Sequence, residues 1–138
     1  MEKSKLIILD RMYLEEIVIY LEEKGGEVLF DESHDIKQLL LTIGITSDLK
    51  GFIYINDAIL CIIENNVEEI GKVYHFVATK HHVSTSSVER SIRYAIDSSE
   101  EKGNGNLKRR IFNDSYDIYG NKLSNSKYLF TLANYLAY

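Results

Sequence analysis

The side chains with chemical potential gather in the middle of the chain. Between Ile70 and Arg93 a single acid, Glu89, stands against Lys72, Lys80, Arg90 and Arg93, and His75, His81 and His82 lie in the same stretch. A second basic group follows at Lys102, Lys108, Arg109 and Arg110. The histidines come with neither a His-Glu-x-x-His nor a Cys-x-x-Cys pattern, and the one cysteine, Cys61, makes neither an internal disulfide nor a metal cluster by itself. They read as a polar, partly basic face suited to a phosphate backbone. Ser84, Thr85, Ser86 and Ser87 lack the glycine-rich elbow and oxyanion loop of a nucleophilic serine, so helix capping explains them better. The acidic pairs Glu68-Glu69 and Glu100-Glu101 fall at helix ends on solvated faces, a poor setting for acid–base catalysis. Gly103-Asn104-Gly105 is too short for a phosphate loop, and the glycosylation pattern Asn113-Asp114-Ser115 has meaning only in a secreted chain. No enzyme constellation emerges, and no cofactor or metal is expected.

The strongest pattern is the order of elements over residues 74–97. A short helix, a turn around His82–Ser84 and a longer helix follow one another as in a helix-turn-helix. In the second helix Val88, Ile92 and Ile96 recur every four residues and pack inward. Ser86, Glu89, Arg90 and Arg93 are then expected to share an outward face, with hydrogen-bonding residues at the helix start, where a major-groove helix meets base edges. The competing reading is a solvated amphipathic helix in which Glu89 pairs with Arg93 at four-residue spacing.

The elements around this motif read as helical. Leu14, Ile17, Val18 and Leu21 predict an amphipathic helix over 11–23, and Gly25-Gly26 ends it. Lys5–Leu9 and Glu27–Phe30 are short candidate strands. Ile36, Leu39, Leu40 and Ile43 predict a helix ended by Gly44. Ser47 is the expected N-cap of a helix with the stripe Phe52, Ile55, Ile59, Ile62 and Ile63, which runs to Asn65-Asn66. Val67, Ile70, Val73 and Tyr74 make a third helix, and Phe76–His82 a further short one. Ser84 or Thr85 caps the helix that Gly103-Asn104-Gly105 is expected to stop. Leu107–Phe112 reads as a short basic helix, residues 113–124 as a polar loop, and the chain closes with a helix from about Asn125 through Tyr128, Leu129, Leu132, Tyr135 and Leu136.

Composition agrees with a small, mainly α protein. The 138 residues are 45% hydrophobic and 27% charged, with no proline, which is enough for one core. No apolar run approaches the ~18–20 residues of a membrane span, and the N-terminus lacks a secretory cleavage pattern, so a cytoplasmic location is expected. The net charge of −5 argues against nucleic acid only when taken whole. Residues 1–35 carry ten acids and four bases, a net of −6, whereas residues 36–138 carry eleven acids and twelve bases, a net of +1.

Several segments, in order and spacing, carry a family resemblance: LLLTIGITSDLKGFIYINDAILCIIEN, VERSIRYAID, KGN and IFNDSYDIYGNKLSNSKYLFTLANYL. From about Asp35 onward the chain resembles the C-terminal effector domain of the stage-zero sporulation response regulator. The resemblance implies a compact bundle of about six helices with an embedded helix-turn-helix, bound to promoter DNA as paired domains on tandem sites. It implies that Glu89 and Arg90 approach bases, that Arg93 approaches backbone or bases, and that Ser86 is the small polar residue at the helix start. Ser87 stands where the family usually has a base-reading arginine. His75 stands where it usually has a proline opening the first helix of the motif. Full-length members also carry a receiver domain. The residues before Asp35 are too few for one and show no acidic pocket, so control by aspartyl phosphorylation is not expected here.

Two readings follow. In the first, residues 35–138 are a sequence-specific, double-stranded DNA-binding transcription regulator and 1–34 an acidic extension. Ser86, Ser87, Glu89 and Arg90 read bases from a helix over about Thr85–Glu101. Lys80, Arg93, Lys108, Arg109 and Arg110 hold the backbone. Leu14, Ile17, Val18 and Leu21 serve self-association, and a homodimer or tandem arrangement is expected, without a membrane. In the second, the domain has kept its fold, lost DNA affinity and modulates another regulator. Net acidity and the serine at position 87 favour the second reading; Glu89, Arg90 and Arg93 favour the first.

Overall fold

A computed structural model describes residues 32–112 and 122–137, and among these there are six helices and no strand. They are α1 (Glu32–Thr42), α2 (Lys50–Asn65), α3 (Ile70–His81), α4 (Thr85–Ser98), α5 (Gly105–Phe112) and α6 (Asn125–Ala137). The expected mainly α bundle is what forms. The expected helix over 11–23, with Leu14, Ile17, Val18 and Leu21, and the two candidate strands lie outside the described residues, as do residues 113–121 of the expected loop.

α2 is the central helix because its sequence is apolar almost all round. It packs against α1, α3, α4 and α6, and Ile55, Ala58 and Ile59 are wholly shielded from solvent. Each such isoleucine contributes roughly 1.5–3 kcal/mol by leaving water. Asn66, in the left-handed conformation at φ 51°, turns the chain out of α2, a role asparagine tolerates better than most residues. α4 crosses α2 at Gly51. A β-carbon there would lie 2.3 Å from the Ser91 carbonyl oxygen and 2.6 Å from the Ala95 β-carbon. The absent side chain therefore sets how closely the two helices approach.

The helix boundaries depart from the sequence reading in six places. Leu49, not Ser47, stands at the N-cap of α2, and no side chain caps it. Val67 precedes α3, and residues 76–81 continue the same helix instead of starting another, since no breaking residue separates Tyr74 from Phe76 and both neighbouring turns bury Val73 and Val77. His75 accordingly lies inside α3, which opens at Ile70. α4 ends at Ser98, short of the expected Glu101, where the Ser99 hydroxyl donates to the Ile96 carbonyl at 2.7 Å. The Gly103 segment docks instead of acting as the stop: the Asn104 amide donates to the Thr42 carbonyl at 2.8 Å, and Gly103, at φ +79°, lies flat on the Ile43–Gly44 backbone. α5 begins at Gly105, two residues before the expected Leu107, because the Asn104 side-chain oxygen accepts from the Leu107 amide at 3.0 Å and caps it.

Candidate nucleic-acid interface

α3 and α4 form a helix-turn-helix whose turn is built by backbone bonds. His82 adopts φ 56°. Its amide donates to the Thr79 carbonyl at 3.4 Å, and the Val83 amide donates to the Ala78 carbonyl at 3.0 Å. These two bonds make a Schellman-type ending. Ser84 follows in extended conformation, and its hydroxyl oxygen accepts from the Ser87 amide at 3.1 Å, so Ser84 is the N-cap of α4. Val88, Ile92, Ala95 and Ile96 face the core.

Successive residues on a helix lie about 100° apart, so the exposed positions of α4 divide into two sets. Ser86, Arg90 and Tyr94, four residues apart, point to solvent; Tyr94 is 64% exposed. No described residue pairs with Arg90. Ser87 is half-buried beside this set. Glu89 is also exposed but lies on the flank nearest Tyr74 of α3 and Asn125 of α6, whose side-chain amide donates to the Glu89 carbonyl at 3.0 Å. Burial pushes the Tyr74 phenol above its ordinary value of 10.0, with the Glu89 charge adding to the shift.

Arg93 is half-buried and bonded elsewhere. Its guanidinium donates to the Asp97 carboxylate at 2.8 and 3.1 Å and to the Leu123 carbonyl at 2.7 Å, tying α4 to the chain entering α6. The ion pair with Glu89 of the competing reading is replaced by one a turn further on, and Arg93 leaves the outward face expected for it. Lys122 adds a second cation near Asp97, at 3.7 Å.

The other sequence-assigned cations also have internal duties. Lys80 donates to the Asp57 carboxylate at 3.1 Å, with about half of its own side chain exposed. Lys108 donates to the Ser99 and Glu100 carbonyls at the end of α4, and the burial this requires lowers its ammonium below the usual lysine range. Arg109 donates to the Asn106 side chain and is exposed, as is Arg110. Only on Arg90, Arg109 and Arg110 do exposed guanidinium groups lie on α4 and α5 together.

Sequence reasoning missed Asp57. It is 3% exposed in the middle of α2, yet its carboxylate accepts from Lys80 and lies 2.5 Å from Nε2 of His81. The His81 ring also meets Tyr54, with centroids 5.0 Å apart. A buried carboxylate held between a lysine and a histidine fixes the last turn of α3, immediately before the motif's turn. The available signal was an acid inside the apolar stripe between Ile55 and Ile59. Of the three histidines in this region, His81 serves this cluster, while His75 and His82 are exposed. Among the described residues no group of three or more His, Cys, Asp or Glu side chains is placed to hold a metal ion, and no helix is long and apolar enough to cross a membrane.

With this geometry in place, comparison with known families gives one finding. The family model described as sporulation initiation factor Spo0A C terminal matches residues 36–136.

Proposed function

The chain belongs to the sporulation initiation factor Spo0A C-terminal family, and from that premise we propose that it is a sequence-specific double-stranded DNA-binding protein that places α4 in the major groove. The family is the DNA-binding effector domain of a sporulation regulator and not a family of enzymes. One observation carries the finer reading. The first turns of α4, held at a tight turn and capped by Ser84, present to solvent Ser86 and Arg90, which has no partner among the described residues. Arg90 donates two bonds to the O6 and N7 of a guanine, and Ser86 and Ser87 adjust to either base or phosphate. Glu89, on the flank, accepts from a cytosine N4 on the adjoining strand. Arg109 and Arg110, on a separate helix, hold phosphates. Lys80, Arg93 and Lys108 contribute positive potential while keeping their internal bonds. One such module buries little surface, so two copies on tandem sites or as a dimer supply the remainder.

Unbiased selection of bound sequences from a random duplex pool at near-physiological salt tests the reading. A recovered motif supports it; a pool that never departs from random overturns it and leaves the domain as a protein-interaction module. The serine at position 87, which offers no guanidinium to a base, favours that second reading.

A further inference from the structure

We propose that the acidic segment 11–23 of this chain is an intramolecular partner of the exposed α4 face and competes with DNA for Arg90. Two independent features of α4 call for an occupant. Tyr94 leaves most of its ring in water at 64% exposure, and Arg90, one turn away on the same face, has no partner among the described residues. An aromatic ring beside an unpaired guanidinium matches an apolar stripe edged with carboxylates. Leu14, Ile17, Val18 and Leu21 supply that stripe, and Glu15, Glu16, Glu22 and Glu23 the edge.

Charge and reach agree. Residues 11–23 carry four acids and one base, a net of −3, and residues 70–112, which include α3, α4 and α5, carry eight bases and four acids, a net of +4. The segment stands to this surface as a phosphate backbone does in the sign of its charge. Residues 24–31 separate it from α1. Eight residues extend to at most about 26–29 Å, most of the way across a domain of this size, whose radius of gyration of about 13 Å means a diameter of roughly 34 Å. α1 and α4 both pack against α2, so the tether has to pass one neighbouring helix and not the whole domain. The contact is intramolecular, so a weak interface suffices, the effective concentration over a short tether being of millimolar order.

The test uses the full chain. A nitroxide is attached at Met12→Cys, Cys61 being buried, and the amide signals of α4 are followed by NMR. Broadening of Arg90 and Tyr94 at low salt, lost at high salt and in a Glu15→Gln, Glu16→Gln, Glu22→Gln, Glu23→Gln variant, is the expected result. Broadening confined to α1 or α2, or none, overturns the proposal. So does broadening that appears only when labelled and unlabelled copies are mixed, which assigns the segment to self-association. In parallel, the four-fold variant should bind a random-sequence duplex on the order of threefold to tenfold more tightly at low salt, with the gain vanishing as salt rises. Failure of both proteins to bind any duplex sinks the DNA reading, while the NMR result still decides the contact.

Discussion

Arg90 and Gly51 act on α4 in different ways, one outward and one inward. Arg90 faces solvent with no described partner, so its removal leaves the fold intact. Arg90→Ala is expected to cost about 1–3 kcal/mol on the selected site and to relax preference at one or two positions, as measured by competition with single-base variants of that site. Unchanged relative preferences would show that α4 is not the reader. Gly51 lies where α2 and α4 touch, and the neighbours a β-carbon would strike include the Ser91 backbone. Because a backbone atom has no rotamer by which to retreat, Gly51→Ala is expected to lower stability by about 1–3 kcal/mol and to move α4. Chemical denaturation gives the first quantity, and a change in the NMR shifts of Ser91 and Ala95 reports the second.

At the scale of elements, α4 depends on both of its ends. Ser84 satisfies one of the amides that the first turn leaves without a helical partner, so Ser84→Ala should cost about 1 kcal/mol in thermal or chemical unfolding. The preceding turn requires His82 at φ 56°. A β-branched residue fits that region poorly, so His82→Val is expected to be destabilising by roughly 1–2 kcal/mol, with His82→Asn close to wild type. A His82→Val variant as stable as the parent would mean that the turn relaxes to another conformation. α5 offers a contrast. Arg109 is exposed on a helix apart from α4, so under the proposed reading Arg109→Ala should weaken every duplex about equally and reduce the slope of log affinity against log salt by about one unit. A change in base preference instead would move Arg109 into the reading set.

For the whole molecule, alkaline pH is the revealing condition. Burial raises the Tyr74 phenol above 10.0 and the Cys61 thiol above 9.0. In each case the unfolded chain loses its proton first as pH rises, so the folded state binds more protons and stability falls through that window. Lys108 acts in the opposite direction. Its ammonium is lowered from 10.5 by burial, so the folded state releases a proton earlier and stability rises over its own window. The Tyr74 contribution should therefore lower the melting temperature as pH rises through about 10, and Tyr74→Phe should flatten that part of the profile. If the variant declines as steeply as the parent, the phenol at the junction of α3, α4 and α6 is not what alkali attacks.

Except that it split α3 in two, apolar spacing alone located the described helices to within a few residues, because a helix is a local object whose buried face repeats every 3.6 residues. The same locality narrowed the cap to Ser84 or Thr85 and placed Ser86 and Arg90 outward, though it put Arg93 on that face as well, and the ordered motifs carried the family. Distances along the chain mark where the sequence ceased to speak. Asp57 meets Lys80 and His81 more than twenty residues away, Arg93 reaches the Leu123 carbonyl thirty residues on, and Lys108 closes the end of α4 from α5. Each of these pairs brings together a charge and a partner that no periodicity relates, and folding desolvates them in the same step as the core. Sequence therefore determined which segments are helices and which face each one buries. Tertiary packing decided which of the basic residues are bound within the domain and which of them remain in water.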